Sequence, residues 1–122
     1  MWEYLNVDLL VGQTMKSVTR EERYGNDEIV FETEGGEKFR LFHEQDCCES
    51  VRIEDISGDL EDLVGSPITI AEESSNSGGK VEYDDSSTWT FYRFATAKSF
   101  VTVRWLGTSN GYYSESVSFE RV

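Results

Sequence analysis

Long apolar runs are missing from this chain: no stretch approaches the roughly 20 consecutive apolar residues that a membrane-spanning helix needs. The first residues, Met1-Trp2-Glu3-Tyr4, also lack the basic-then-apolar order of a signal peptide. Cysteine is scarce, with only Cys47 and Cys48, and they are adjacent. Neighbouring cysteines rarely bridge, because the geometry is strained, so no disulfide framework is expected. Reduced thiols fit an intracellular, cytoplasmic setting. Histidine occurs once, at His43, so no second Cys or His set exists to complete a structural zinc site.

Basic charge is equally thin. Eleven Lys and Arg face 24 Asp and Glu, a formal net charge of −13. Such a surface opposes phosphate backbones and acidic membrane leaflets, so direct duplex nucleic-acid binding and membrane association are not expected. The imbalance lies mostly in the first half. From Arg93 to Val122 four basic residues meet only two acidic ones, and a small anion could be held locally there.

What is present describes one folded domain. The length of 122 residues suits a single domain spanning 1–122, and 38% hydrophobic and 13% aromatic residues place the chain outside the disordered class. Period-2 alternation recurs between turn signals, which predicts strands. Ile29, Phe31 and Thr33 share a face, Gly35-Gly36 turns the chain, and Phe39, Leu41 and His43 continue it as a hairpin. Met15 to Arg23 is its expected upstream partner, ended by Tyr24-Gly25-Asn26-Asp27. A fourth strand starts at Val51. Ser57 to Gly65 predicts a capped helical turn or two, closed by glycine. Pro67 then opens a short strand from Ile68 to Glu72.

Ser74 to Ser87 reads as a mobile loop or loose hairpin. Thr88 to Ala95, Phe100 to Leu106 and Tyr112 to Phe119 predict a three-stranded meander. The segment from Tyr4 to Val11 is open between an amphipathic turn and a first strand. The fold expected is α+β, mostly β: a single twisted antiparallel sheet of hairpins and meander, partly closed at most, with one or two short helices.

The densest chemistry lies in His43-Glu44-Gln45-Asp46-Cys47-Cys48-Glu49, a connection between strands. Zinc on His43, Cys47 and Cys48 is disfavoured by the ligand spacing. A Cys–His nucleophile is opposed by Glu44, Asp46 and Glu49, whose charge raises a thiol pKa. No catalytic residue, metal or cofactor is assigned. His43, Asp46 and Glu49 are expected to form a polar rim or hydrogen-bond network that fixes the loop, with Cys47 or Cys48 packed inward. Asp55 to Glu61 resembles the start of a calcium loop, but its glycine comes too early and a capped turn is the better reading.

The meander offers a second candidate. Trp89, Phe91 and Arg93 alternate against Thr90, Tyr92 and Phe94, and Arg104 against Val103 and Trp105. With Asn110, Tyr112 and Tyr113 they supply aromatic planes, guanidinium forks and an amide, the equipment of a nucleotide pocket. Trp89, Tyr92, Arg93, Arg104, Trp105, Asn110, Tyr112 and Tyr113 are therefore the candidate ligand-binding residues, and His43, Asp46, Cys48 and Glu49 the candidate rim. The plainer reading pairs the arginines with Glu72, Glu73 or Glu115 over an ordinary aromatic core.

Several motifs together carry a resemblance: the His43 to Glu49 run, Ile53-Glu54-Asp55-Ile56, Gly58-Asp59-Leu60, Gly65-Ser66-Pro67-Ile68, Trp89-Thr90-Phe91-Tyr92 and Ser109-Asn110-Gly111-Tyr112-Tyr113-Ser114-Glu115. Over nearly all of the chain after Gly12 this pattern is similar to a small family of tailed-phage and prophage proteins, a domain of unknown function. Thr108 stands where that family commonly carries a glutamate. The resemblance implies phage origin and action in the bacterial host cytoplasm; it implies no activity.

The function expected is binding, not catalysis, directed at a host factor or an anti-phage defence protein. Acidic nucleic-acid mimicry and sequestration of a nucleotide signal are the two mechanisms. A small enzyme using Cys47 or Cys48 with His43, or a structural phage accessory protein, are the alternatives. An oligomer is compatible with the sequence.

Overall fold

Alternation resolves into two sheets in a computed structural model that describes residues 4–77 and 86–122. Strands β1 (Met15–Arg23), β2 (Asn26–Thr33) and β3 (Lys38–Phe42) pair in order with β8 (Ser118–Arg121), forming sheet 1. Sheet 2 has the order β4 (Ser50–Ser57), β7 (Phe100–Ser109), β6 (Ser86–Ala95), β5 (Ile70–Ser77). Every pairing between these strands is antiparallel. The mostly β, antiparallel character matches the sequence reading, but the strands divide into two sheets instead of one.

The division follows from the apolar faces. β2 and β3 bury Ile29, Phe31, Phe39 and Leu41, while β6 and β7 bury Tyr92, Phe94, Val101, Val103 and Trp105. Two half-apolar sheets each need a partner, and they cover each other. Phe31 meets Phe94 across the layers at 5.3 Å, and Phe119 stacks on Phe39 at 5.4 Å.

The expected helices are two 3-10 turns. Asp59 caps Leu60–Leu63 by accepting from the Glu61 amide at 3.1 Å, which leaves Leu60 and Leu63 buried beneath the turn. Asn6 likewise caps Val7–Leu10, so the N-terminal segment is a turn and not a strand. β5 starts at Ile70 and continues to Ser77, paired with β6 throughout. Of the expected mobile stretch, Ser74–Ser77 and Ser86–Ser87 therefore lie in strands, and residues 78–85 lie outside the described residues.

The expected meander has two legs in sheet 2, and its third is corrected. Residues 110–117 form no strand; β8 begins at Ser118 and pairs with β3 in sheet 1. Gly107 lets the returning chain lie close against sheet 2. A Cβ there would stand 2.6 Å from the Glu115 carbonyl oxygen, so the returning chain folds against bare backbone and crosses to the free edge of β3.

Candidate functional site

Two connections pass between the sheets: residues 43–49 run from β3 to β4, and residues 110–117 run from β7 to β8. His43 joins them. Its Nδ1 lies 2.6 Å from the Ser116 carbonyl oxygen, and its Nε2 lies 2.7 Å from Glu49 Oε2. Glu49 in turn accepts the Asp46 amide on Oε2 and the Cys47 amide on Oε1, both at 2.9 Å. The histidine and glutamate side chains are essentially sealed from solvent, at 2% and 0% exposure.

The protonation state follows from the acceptors. Burial alone would raise the Glu49 carboxyl, but the hydrogen bonds from His43 and the Asp46 and Cys47 amides outweigh it and hold the group down at about 2. Ionised Glu49 only accepts, and so does a backbone carbonyl. The two ring nitrogens of His43 therefore span two acceptors, the Glu49 carboxylate and the Ser116 carbonyl, and tie the two connections together. Because Glu49 titrates below its ordinary value of 4.5, its stabilisation is complete above that pH and is lost as the pH falls toward 2. Thermal melting should thus decline between about pH 4.5 and 2, and Glu49→Gln should flatten that decline; an unchanged slope in the variant would contradict the assignment.

The cysteines reverse the sequence expectation. Cys47 and Cys48 are both exposed and are joined by a disulfide. Neither packs inward, because the Glu49 carboxylate occupies the inside of the turn and draws the amides of Asp46 and Cys47 toward itself, leaving the side chains of residues 46–48 outside. The cytoplasmic inference loses the support it took from reduced thiols. No helix among the described residues is long and apolar enough to cross a membrane.

Glu115 anchors the second connection in the same manner. It is buried, receives Thr88 Oγ1 at 2.7 Å on one oxygen and the Ser109 hydroxyl on the other, and is held below the ordinary carboxylate range by the hydroxyls of Ser109, Thr88 and Ser86 against the opposing effect of burial. Arg40 makes a third polar lock, reaching Glu120 at 2.7 Å and Glu28 at 3.3 Å while its guanidinium lies over Phe42. This lock was hidden in the sequence, since Glu28 and Glu120 are 12 and 80 residues away from Arg40.

Two clefts of about 300 and 380 Å³ flank the His43 run and share His43, Glu44 and Gln45. Tyr24, at the tip of the β1–β2 hairpin and 93% exposed, borders the first, and Tyr4, bonded to Glu44, borders the second. The run thus borders open space while its buried members hold the loop. Its one direct side-chain contribution from Asp46 to Glu49 comes from Glu49; Asp46 serves through its backbone.

The candidate ligand residues do not converge on one pocket. Tyr92 and Trp105 are core residues at 1% and 0% exposure, on the inner face of sheet 2. Burial and the nearby Glu73 raise the Tyr92 hydroxyl above its ordinary range. Trp89, Arg93 and Arg104 lie on the outer face, where Arg104 sits over the Trp89 ring at 5.0 Å and Arg93 approaches Glu72 at 3.8 Å. Asn110 turns on itself by accepting the Tyr112 amide at 2.9 Å. Tyr112 is 84% exposed and meets Tyr113 edge-on, away from that face. Arg52, unmarked by sequence reasoning, joins the outer face through its pairing with Leu106.

A family model, that of a domain of unknown function designated DUF7448, matches residues 8–119. No curated protein and no solved structure matches the chain.

Proposed function

Because the chain belongs to the DUF7448 family, whose description carries no activity to inherit, we propose from its own surface that it is a non-enzymatic binding protein. It occupies the nucleic-acid site of a basic partner. The resemblance to tailed-phage proteins supplies the setting: a host factor or defence protein in the bacterial cytoplasm.

One observation carries this reading. Glu54, Asp55, Asp59, Glu61 and Asp62 are all exposed on a single rigid stretch, β4 and the turn after it. Pairing with β7, the Asp59 cap and the buried Leu60 and Leu63 fix the backbone beneath them. Carboxylates held on a fixed frame cost less ordering on binding than carboxylates on a loose tail, and a basic partner is drawn to them by the same field that draws it to phosphates. The enzymatic alternative has less support, since the two sulfurs are bonded to each other and both nitrogens of His43 are engaged.

Immobilised protein should retain a nucleic-acid-binding protein from bacterial lysate at about 50 mM salt and release most of it at about 200 mM. Neutralising Glu54, Asp55, Glu61 and Asp62 to the amides should reduce retention at least tenfold, about 1.4 kcal/mol or more. Retention that ignores both salt and these substitutions would contradict the proposal.

A further inference from the structure

The outer face of sheet 2 differs from the rest of this acidic surface. Trp89 and Phe91 are neighbours on that face of β6, and each is partly buried with part of its surface still accessible. Arg104 on β7 pairs with Phe91 on β6 and lies over Trp89, so two rings and a guanidinium form one ledge. Arg52 and Arg93 stand on either side of it. An exposed sheet face bearing adjacent aromatics is a platform on which bases stack, and arginine forks grip phosphates in the same plane.

From this placement we propose that the outer face of sheet 2 binds a short nucleotide of one or two bases, stacked on Phe91, Trp89 and Arg104 with its phosphates on Arg52 and Arg93. The charges argue for a small ligand. Arg52 is held by Glu54 at 3.1 Å and Arg93 by Glu72 at 3.8 Å, both exposed pairs weak enough for a phosphate to displace. A long polyanion would instead meet Asp55, these glutamates and the net charge of −13. Ser74 and Asn76, cross-strand from Phe91 and Trp89, offer hydrogen bonds to base edges.

The test titrates the protein with adenosine and guanosine monophosphates, their cyclic dinucleotides and a single-stranded tetranucleotide, following tryptophan fluorescence and thermal melting. At least one mono- or dinucleotide should quench emission and raise the melting temperature. Trp89→Ala should weaken that binding on the order of 10- to 100-fold and remove the quench. Trp89→Phe should retain most of the affinity, and Arg104→Lys, which keeps the charge but loses the fork, should weaken it. No response from the parent to any of these nucleotides, parent-like binding by Trp89→Ala, or tightest binding to the tetranucleotide would each overturn the proposal. None of these results depends on retention of a basic protein partner.

Discussion

Glu49→Ala is expected to cost about 3 kcal/mol or more of stability, since it leaves the buried His43 Nε2 without its hydrogen-bond partner. It also strips acceptors from the Asp46 and Cys47 amides. The loss should appear in urea unfolding as a lower midpoint at an unchanged slope, because the surface exposed on unfolding stays the same. His43→Ala should cost a comparable amount, and the double variant less than the sum, as for any two members of one network. A loss below about 1 kcal/mol for either single change would mean that the two connections hold without the pair.

Trp105→Ala carries the second large effect, about 3–5 kcal/mol, from the cavity left when a fully buried indole is removed. Trp105 sits between Thr90 and Ile53 on the neighbouring strands. Its Nε1 has no hydrogen-bond partner among the described residues. Trp105→Phe should consequently cost less than the alanine change, since it retains a ring and deletes the unpaired donor. Trp89→Ala, on the partly accessible outer face, should cost clearly less than Trp105→Ala. Equal losses at Trp89 and Trp105 would contradict the division of sheet 2 into an inner core face and an outer, more accessible face.

That division was legible in the sequence. Strict alternation set Tyr92 and Phe94 against Trp89, Phe91 and Arg93, and Val101, Val103 and Trp105 against Arg104, and β6 and β7 keep those faces. Alternation states which residues share a face, however, and not which face turns inward. Tyr92 and Trp105 could therefore be grouped with Trp89 and Arg104 as one aromatic–arginine site, although the sheet separates them. The same limit hid the second sheet. A period of two is identical in one sheet and in two, and the assignment depends on edges that meet only in three dimensions, such as β8 on β3.

The His43 to Glu49 run shows a different limit. Its residue types announced a polar network, but the roles depended on which side chain reached the interior. A glutamate that collects two amides and an imidazole can occupy a position where cysteine is the usual choice. The cap at Asp59 was more accessible, because a capping side chain acts on an amide two residues away and its whole signal is local.

The central claim is that the acidic band takes the place of nucleic acid on a partner. Fluorescence anisotropy of a labelled duplex bound to the captured partner tests it most directly, as unlabelled protein is added. Anisotropy should fall to that of the free duplex at saturating protein, and the variant neutralised at Glu54, Asp55, Glu61 and Asp62 should need at least tenfold more protein to achieve it, about 1.4 kcal/mol. A duplex that stays bound while the protein joins the complex would contradict the claim.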